Sequence, residues 1–397
     1  MKLRNPKAIL VTIVIAQFLC TSLWFAGNGV LQDLISNFSL PTSVLGHLTT
    51  SLQLGFICGT LIFAVYKIVD RYSPSRVFLW SAIAGAMANA CMILSANTLA
   101  SLLSLRFMTG FFLAGVYPVG MKIAADYFDR KLGKALGLLV GALVLGTALP
   151  HLLRSLGSHM DWRYVLIWIS GLAIAGGVGV GLLIKDGPYR HAGQGVDFHV
   201  MFRVFRPRNF RKPAFGYFGH MWELYAFWAF VPVMLMYYQR IHPQYQFDIS
   251  LWSFVMIGVG GVACVMNGYL SNRIGAAKAA IYALVISGIC CIVSPAVFLQ
   301  GSLFVFLFFL MIWGMTVVAD SPMFSTLVAQ EASPELRGTA LTLVVSIGFA
   351  ITIVSIQLLN WLSTVIEITY LFLLLVPGPV LGLLAMLDVK RKPGVEK

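Results

Sequence analysis

Charge is scarce in this sequence. Of its 397 residues, 11% are Asp, Glu, Lys or Arg and 59% are apolar, whereas soluble domains carry roughly 25% charged residues. A chain with so few polar groups cannot cover a core in water, so we predict an integral membrane protein whose partner is the lipid bilayer. The net charge of +13 does not indicate nucleic acid, because Lys and Arg collect in the cytoplasmic loops of membrane proteins.

Metal-ligand and catalytic motifs are also missing. The sequence contains no HExxH, GxSxG or P-loop pattern, which argues against a membrane enzyme. Its six cysteines lie in apolar stretches and have no metal-ligand spacing with histidines: Cys20, Cys58, Cys91, Cys264, Cys290 and Cys291. We therefore predict no disulfide framework, no metal and no cofactor.

Long apolar runs dominate what remains. A helix needs about 20 apolar residues to cross a bilayer, and backbone exposed to lipid must form its hydrogen bonds internally. We predict an all-α membrane protein with twelve transmembrane helices, near residues 9–31, 44–66, 77–96, 100–123, 134–156, 163–184, 213–237, 250–271, 279–299, 303–328, 339–362 and 366–388.

The basic residues predict the orientation. With both termini in the cytoplasm, 23 of the 28 Lys and Arg lie in cytoplasmic segments, as the positive-inside rule requires. The compact chain and its short external connections suggest a bacterial inner membrane. In the one long loop, Phe198, Met201, Phe202 and Phe205 have helical spacing, which predicts an amphipathic helix on the inner membrane surface; a plain linker is the alternative.

An internal repeat divides the chain. The loop "YKIVDRYSPSR" after the second predicted span matches "GYLSNRIGAAK" after the eighth. Three residue pairs align 202, 205 and 204 residues apart: Arg71 with Arg273, Gly133 with Gly338, and Pro118 with Pro322. We predict two six-helix halves, at 1–185 and 213–397, joined by a cytoplasmic linker at 186–212.

These loops carry a known signature. The pattern G-x-L-a-D-R-x-G-r-k matches Gly268, Leu270, Arg273, Gly275 and Lys278. The first copy keeps Asp70, Arg71 and Arg76 but has Tyr66 and Ser73 in place of glycine, and the fourth span has the R-x-x-x-G pattern at Arg106 and Gly110. The sequence therefore resembles the major facilitator superfamily.

The resemblance implies a secondary transporter that works by alternating access, built from two pseudo-symmetric six-helix bundles. It also implies a cavity lined by the first, fourth, seventh and tenth spans, and an inner gate formed by Asp70, Arg71, Arg273 and Gly275. We expect Asp70 to pair with a basic residue of the other half; alternatively these charges only set the topology. Drug-exporting relatives have Gly-Pro where this chain has Leu149 and Pro150, which weakens a multidrug reading.

Five ionisable residues lie in the predicted cavity helices: Arg106, Lys122, His220, Glu223 and Asp320. Each costs about 2.5–3.5 kcal/mol at the centre of a membrane helix, so we expect them to face a wet cavity or one another. His220 and Glu223 share one helix face, and Asp320 has a similar depth to Glu223. We predict that these three carry a coupling proton; static pairing of the carboxylates with Arg106 or Lys122 is the alternative.

Other polar and aromatic residues complete the predicted solute site. Gln17, Thr21, Trp24 and Asn28 recur at helical spacing and predict a polar cavity wall, or else hydrogen bonds between helices. Trp222 and Trp313 can stack on a solute, and Arg106 and Lys122 can bind an anion, although Lys122 can equally pair with Asp126. Four prolines can kink the predicted spans: Pro118, Pro150, Pro232 and Pro322.

The sequence thus predicts a monomeric, proton-coupled transporter of a small anionic or zwitterionic organic solute, driven by the proton gradient. Uptake by symport is favoured. Proton-driven efflux of a drug, siderophore or metabolite is the alternative, and a sensor that resembles a transporter is a third reading.

Overall fold

The regular structure is helical throughout the part of the chain that the computed structural model describes, residues 5–41, 43–128, 132–190, 202–333 and 337–387. Ten described α-helices precede the linker: α1 (Pro6–Thr21), α2 (Ala26–Gly29), α3 (Leu31–Phe38), α4 (Val44–Val65), α5 (Ile68–Arg71), α6 (Pro74–Ala90), α7 (Leu99–Leu113), α8 (Tyr117–Tyr127), α9 (Leu132–Leu156) and α10 (Trp162–Leu183). Eight follow it: α11 (Arg208–Ile241), α12 (Ile249–Ile274), α13 (Ala276–Leu299), α14 (Leu303–Ala319), α15 (Ser321–Glu331), α16 (Arg337–Leu362), α17 (Ile368–Leu371) and α18 (Pro377–Met386). Short 3₁₀ helices cover Cys91–Ile93, Phe202–Phe205 and Phe372–Leu375.

The predicted all-helical membrane fold is confirmed. Within the described residues, ten helical segments are long and apolar enough to cross a bilayer. The first predicted span is α1, a shorter apolar helix of 16 residues, and the seventh is α11, which has 34 residues. With α1 and α11 included, the helices accommodate the twelve predicted spans.

The linker differs from its prediction. Helix α11 begins at Arg208, five residues before the predicted boundary at 213, and Phe205 packs against Phe210 and Phe218 with ring centroids 5.5 and 6.3 Å apart. Phe202–Phe205 is a 3₁₀ turn. Phe198 and Met201 of the predicted amphipathic helix lie outside the described residues.

The two ends of the helix bundle differ in charge. At the end where α1 begins, the described loops and helix ends carry the basic residues Lys67, Arg71, Arg76, Lys185, Arg190, Arg273 and Lys278. The other end carries Arg154, Arg163 and Arg240. We call these the basic end and the opposite end.

The fourth and tenth spans break at equivalent positions. Between α7 and α8 the break lies at Ala114–Val116, and between α14 and α15 it lies at Asp320. In each case a proline, Pro118 or Pro322, is the second residue of the following helix. Proline has no N–H to donate and its ring clashes with the carbonyl four residues earlier, so the repeat places the same break in both halves.

Carbonyl groups at the breaks accept hydrogen bonds from side chains of neighbouring helices, as backbone inside a membrane requires. At the break of the tenth span, Asn267 Nδ2 donates to the carbonyl of Ala319 at 2.7 Å, and Cys264 Sγ lies 3.4 Å from that of Val318. The first span breaks between α1 and α2 without a proline. There, Arg106 Nη1 and Nη2 donate to the carbonyls of Leu23 and Trp24, at 3.0 and 2.5 Å.

Glycines bring α4 and α7 into direct backbone contact. A Cβ at Gly110 would collide with the carbonyl oxygen of Leu52, and one at Gly55 with that of Phe107. Small residues permit such close approach in membranes. The glycine of the R-x-x-x-G pattern therefore has a packing role, since only glycine fits where α7 crosses α4.

We expect Gly110→Ala to destabilise the protein by about 1–3 kcal/mol, the usual cost of overpacking a core. Gly171 in α10 is the matched control, because a Cβ there meets nothing within 4 Å, and an added methyl group favours the helix by about 0.5–1 kcal/mol. Thermal unfolding of the two purified variants tests this. An unchanged unfolding temperature for Gly110→Ala would show that α4 and α7 can separate at no cost.

Two helix pairs make the most extensive contacts between the halves. Where α9 crosses α12, Gly141 and Gly261 face each other's carbonyl groups. Between α4 and α16, near the opposite end, Gln357 Nε2 donates to Thr50 Oγ1 at 2.8 Å and Asn360 Nδ2 to the carbonyl of Ser43 at 3.0 Å. The halves therefore meet through small residues at one crossing and through polar side chains at the other.

Candidate functional site

Glu223 is buried inside the second half. Its side chain on α11 is 1% exposed. Oε1 accepts from Trp313 Nε1 at 2.6 Å and from Cys291 Sγ at 3.3 Å, and Oε2 accepts from Ser287 Oγ at 3.0 Å. Both carboxylate oxygens thus have partners on α13 and α14, and all three partners are uncharged.

His220 and Asp320 form a second buried group one turn away along α11. His220 Nδ1 lies 2.8 Å from Asp320 Oδ1, and each side chain is 1% exposed. Asp320 is the residue between α14 and α15. The pair therefore joins α11 directly to the break in the tenth span.

The alternative, static pairing of these carboxylates with Arg106 or Lys122, is not what the structure shows. Arg106 is completely buried, and its guanidinium donates hydrogen bonds to the carbonyls of Leu23 and Trp24. Lys122 Nζ pairs with Asp70 at 3.2 Å, instead of with Asp126. Both basic residues of the fourth span therefore make their contacts within the first half. Arg106 binds the broken first span, and Lys122 of α8 binds Asp70.

The gate loops combine backbone and charge functions. Gly275 turns the chain between α12 and α13 with φ +87°, a conformation that favours glycine. In the first copy of the loop, Ser73 stands at the position equivalent to Gly275. There the residue with a left-handed backbone conformation is Lys67, with φ +53°. Arg71 and Arg273 are exposed at the basic end. We expected Asp70 to pair with a basic residue of the other half. That expectation is wrong for this structure, because Asp70 binds Lys122 of its own half.

Two cavities of about 240 Å³ each open between the halves, one towards each end. The basic-end cavity contains the pair of Asp70 and Lys122, with the start of α16 opposite it. The opposite-end cavity contains Asn28, Asp33, His151 and Arg154 of the first half and residues 229–236 of α11. Neither of these two cavities is lined by Glu223, His220 or Asp320.

Four aromatic rings separate the cavities. Trp24 and Phe56 of the first half meet Tyr225 and Phe349 of the second half, with ring centroids 4.7–5.7 Å apart in five pairs. All four side chains are at most 3% exposed. Along α4, Phe56 lies between Leu45 of one cavity and Thr60 of the other, so this central aromatic cluster closes the path through the bundle.

The predicted polar wall of the first span is divided by its break. Thr21 Oγ1 donates to the carbonyl of Gln17 at 2.8 Å, and Asn28 Nδ2 donates to Thr49 Oγ1 at 3.0 Å. The amide of Gln17 and Nε1 of Trp24 are buried without a hydrogen-bond partner among the described residues. Polar atoms of this kind are costly unless something binds them.

The two predicted stacking tryptophans are both engaged within the second half. Trp222 Nε1 donates to the carbonyl of Leu374 at 3.0 Å, and Trp313 binds Glu223. Sequence reasoning missed Ser287 and Cys291, whose spacing of four residues on α13 was the only available signal. It also missed Phe56 and Phe349, which are ordinary apolar residues until the halves meet.

Known proteins share this architecture. The human organic anion transporter MFSD10 (TETRAN) matches with a TM-score of 0.70 and 16% identity, covering 97% of this chain and 100% of that one. A bacterial homologue of the human lysosomal transporter Spinster, in an inward-facing and unoccupied conformation, matches with a TM-score of 0.70, 16% identity and coverage of 96% and 94%. At this identity the likeness shows the fold.

Sequence relatives cover less of the chain. The efflux pump FUBT of Fusarium oxysporum is 29% identical over 168 residues, which are 41% of this chain and only 27% of that protein. The profile of the Major Facilitator Superfamily matches residues 13–356, most of the sequence. The chain therefore belongs to the Major Facilitator Superfamily and is a multi-pass membrane transporter, not an enzyme.

Proposed function

We propose that this protein is a monomeric, proton-coupled secondary transporter of a small anionic or zwitterionic organic solute, with both termini in the cytoplasm of a bacterial cell. The observation that carries the proposal is the pair of buried acidic groups in the second half, Glu223 and the His220–Asp320 pair. Ionisable residues inside a membrane are expensive, and they characteristically mark proton relays or solute pathways.

Glu223 is suited to hold and release a proton without rearranging its neighbours. Ser287 Oγ lies 3.0 Å from Glu223 Oε2 and 3.3 Å from the carbonyl of Leu284. A hydroxyl group both donates and accepts. It can donate to the ionised carboxylate, or accept from the protonated acid and turn its own proton to Leu284. Trp313 donates to Oε1 in both states.

The His220–Asp320 pair can transmit protonation to the backbone. His220 Nδ1 lies 2.8 Å from Asp320, the residue at which the tenth span breaks. Adding a proton to the pair, or removing one, changes the strength of the link between α11 and this break. A local change in charge would thereby bias the arrangement of α14 relative to α15.

The polar centre of the first half supports a solute with hydrogen-bonding groups. Buried amide atoms of Gln17 and Gln53 lack partners among the described residues, as does Nε1 of Trp24. Each such group costs about 1–3 kcal/mol when unsatisfied. A solute that reaches them after the central aromatic cluster opens would recover that cost, which favours binding between the halves.

Flux into proteoliposomes tests the coupling and its direction. The probes are labelled leucine, lactate and succinate. With one proton coupled to each solute molecule, we expect a gradient of about one pH unit to drive roughly tenfold accumulation, because a pH unit and a tenfold concentration ratio represent the same free energy. Accumulation with acid outside indicates symport, whereas accumulation with acid inside indicates antiport, whichever way the protein inserts. If none of the three fluxes responds to the gradient, proton coupling is rejected.

Efflux is the second candidate, and the partial match to the efflux pump FUBT favours it. Symport is preferred because that match covers a minority of both chains and Leu149–Pro150 departs from the Gly-Pro pattern of drug exporters. The antiport arm of the flux experiment distinguishes the two.

A further inference from the structure

The opposite-end cavity has a polar wall and an apolar wall. Asp33 of α3 and Arg154 of α9 form an ion pair at 2.9 Å on the first-half side. Across from them, Pro232, Val233 and Met236 of α11 form the apolar side. The volume of about 240 Å³ is below the roughly 300–1,000 Å³ of pockets for drug-sized ligands, so the cavity suits a small metabolite.

Polar atoms on the first-half side of this cavity lack partners. His151 is 2% exposed and its Nε2 has no hydrogen-bond partner among the described residues; the same holds for Oδ1 of Asn28, a residue that is 8% exposed. Both residues line the cavity. Native structures rarely leave buried polar atoms unbonded, so these atoms point to a ligand with polar groups.

The ion pair is accessible to a ligand. The side chains of Arg154 and Asp33 retain 23% and 22% of their exposure, so a solute can reach both. Arg154 presents a planar fork that binds a carboxylate through two parallel hydrogen bonds, and Asp33 accepts from an ammonium group. When a zwitterion binds, Arg154 and Asp33 each replace their contact with one another by a contact with one charged group of the solute, so the local charge stays balanced.

We infer that the opposite-end cavity binds a small apolar zwitterion, with its carboxylate on Arg154, its cationic group on Asp33 and its apolar body against Pro232, Val233 and Met236. This inference rests on the proposed transport function and names its substrate class. The solute binds at this site either on entering or on leaving the transport path, because the central aromatic cluster separates the site from the basic-end cavity. His151 and Asn28 supply the remaining hydrogen bonds.

Equilibrium binding without any pH gradient tests the inference. The probes are L-leucine, isocaproate, which lacks the amine, and isoamylamine, which lacks the carboxylate, each measured on the full chain in lipid nanodiscs. We expect leucine to bind at least about tenfold more tightly than either analogue, because both charge-assisted contacts form only with leucine. Equal affinity for leucine and either analogue, or no saturable binding of leucine, overturns the inference.

Variants assign the two charges. Asp33→Asn should remove the preference for leucine over isocaproate, and Arg154→Gln the preference for leucine over isoamylamine. The double exchange of Asp33→Arg with Arg154→Asp should restore leucine selectivity. Retained selectivity in Arg154→Gln overturns the assignment, and the comparison of probes on the unmodified protein stands even if a variant fails to fold.

A matched control lies at the same end of the protein. Arg163 pairs with Asp161 at 2.8 Å outside the cavity, and the backbone N–H of Arg163 lowers the pKa of the Asp161 carboxyl. Arg163→Gln should bind leucine within about twofold of the unmodified protein, as exposed ion pairs contribute little. A loss equal to that of Arg154→Gln would show a non-specific effect of charge and overturn the inference.

The two proposals fail separately. Glu223→Gln should bind leucine normally while losing the response to a pH gradient. Absent leucine selectivity with intact gradient-driven flux rejects the zwitterion site alone. Normal leucine binding with no gradient response rejects proton coupling alone.

Discussion

Glu223→Gln is expected to abolish gradient-driven solute accumulation, lowering it from roughly tenfold to about onefold under a gradient of about one pH unit, because glutamine cannot take up or release the coupling proton. Glutamine preserves the contacts of the protonated acid, because its carbonyl accepts from Trp313 and its amide donates to Ser287. The variant should therefore fold and still exchange solute across the membrane without a gradient. Counterflow within about threefold of the unmodified protein, measured in the same liposomes, separates lost coupling from lost transport.

Glu367→Gln is the matched control for this substitution. Glu367 accepts from Tyr237 Oη at 2.7 Å near the opposite end of the second half, outside the buried acidic groups. It should keep gradient-driven accumulation. Full accumulation in Glu223→Gln would remove Glu223 from the coupling step and leave the His220–Asp320 pair as the remaining candidate.

Arg106→Met is expected to lower the free energy of unfolding by about 2–4 kcal/mol, because the carbonyls of Leu23 and Trp24 lose their guanidinium donors inside the protein. Methionine keeps much of the length of the side chain and removes its charge. Arg106→Lys should have an intermediate effect, since an ammonium group cannot reproduce the two parallel contacts of the fork. We expect the apparent unfolding temperature to fall by about 5 °C for Arg106→Met.

Thermal unfolding and solute binding, measured together on the purified variants, distinguish two roles for Arg106. Arg240→Gln is the control, because Arg240 is exposed at the end of α11. A normal unfolding temperature with lost solute affinity would make Arg106 a solute ligand, as the sequence suggested. Reduced stability with retained affinity in the folded fraction would establish it as the support of the broken first span.

The sequence predicted the helical fold, the family and the position of Glu223, His220 and Asp320 within membrane helices, because hydrophobic runs and isolated charges are visible one residue at a time. It did not predict their partners. Which residue of α13 or α14 meets Glu223 depends on the register between helices, and that register is decided by packing across nearly a hundred residues of chain.

The helix breaks, too, were predicted only in part from the sequence. Pro118 and Pro322 predicted two of them, but α9 and α11 continue through Pro150 and Pro232. The first span breaks between α1 and α2 with no proline, at a point where Arg106 binds the freed carbonyls. A single sequence shows where a helix can break and not whether a distant side chain will make the break stable.

The crossing of α9 and α12 at Gly141 and Gly261 has a mechanical consequence. The direct backbone contact at these two glycines makes this point a fulcrum, with the side chains of Leu145 and Val265 packed beside it. Gly141 stands 15 residues before the end of α9 at Leu156, a lever arm of about 22 Å at 1.5 Å per residue. A tilt of about 15°, typical of rigid-body switching, would displace that end by about 6 Å, roughly the width of a small solute.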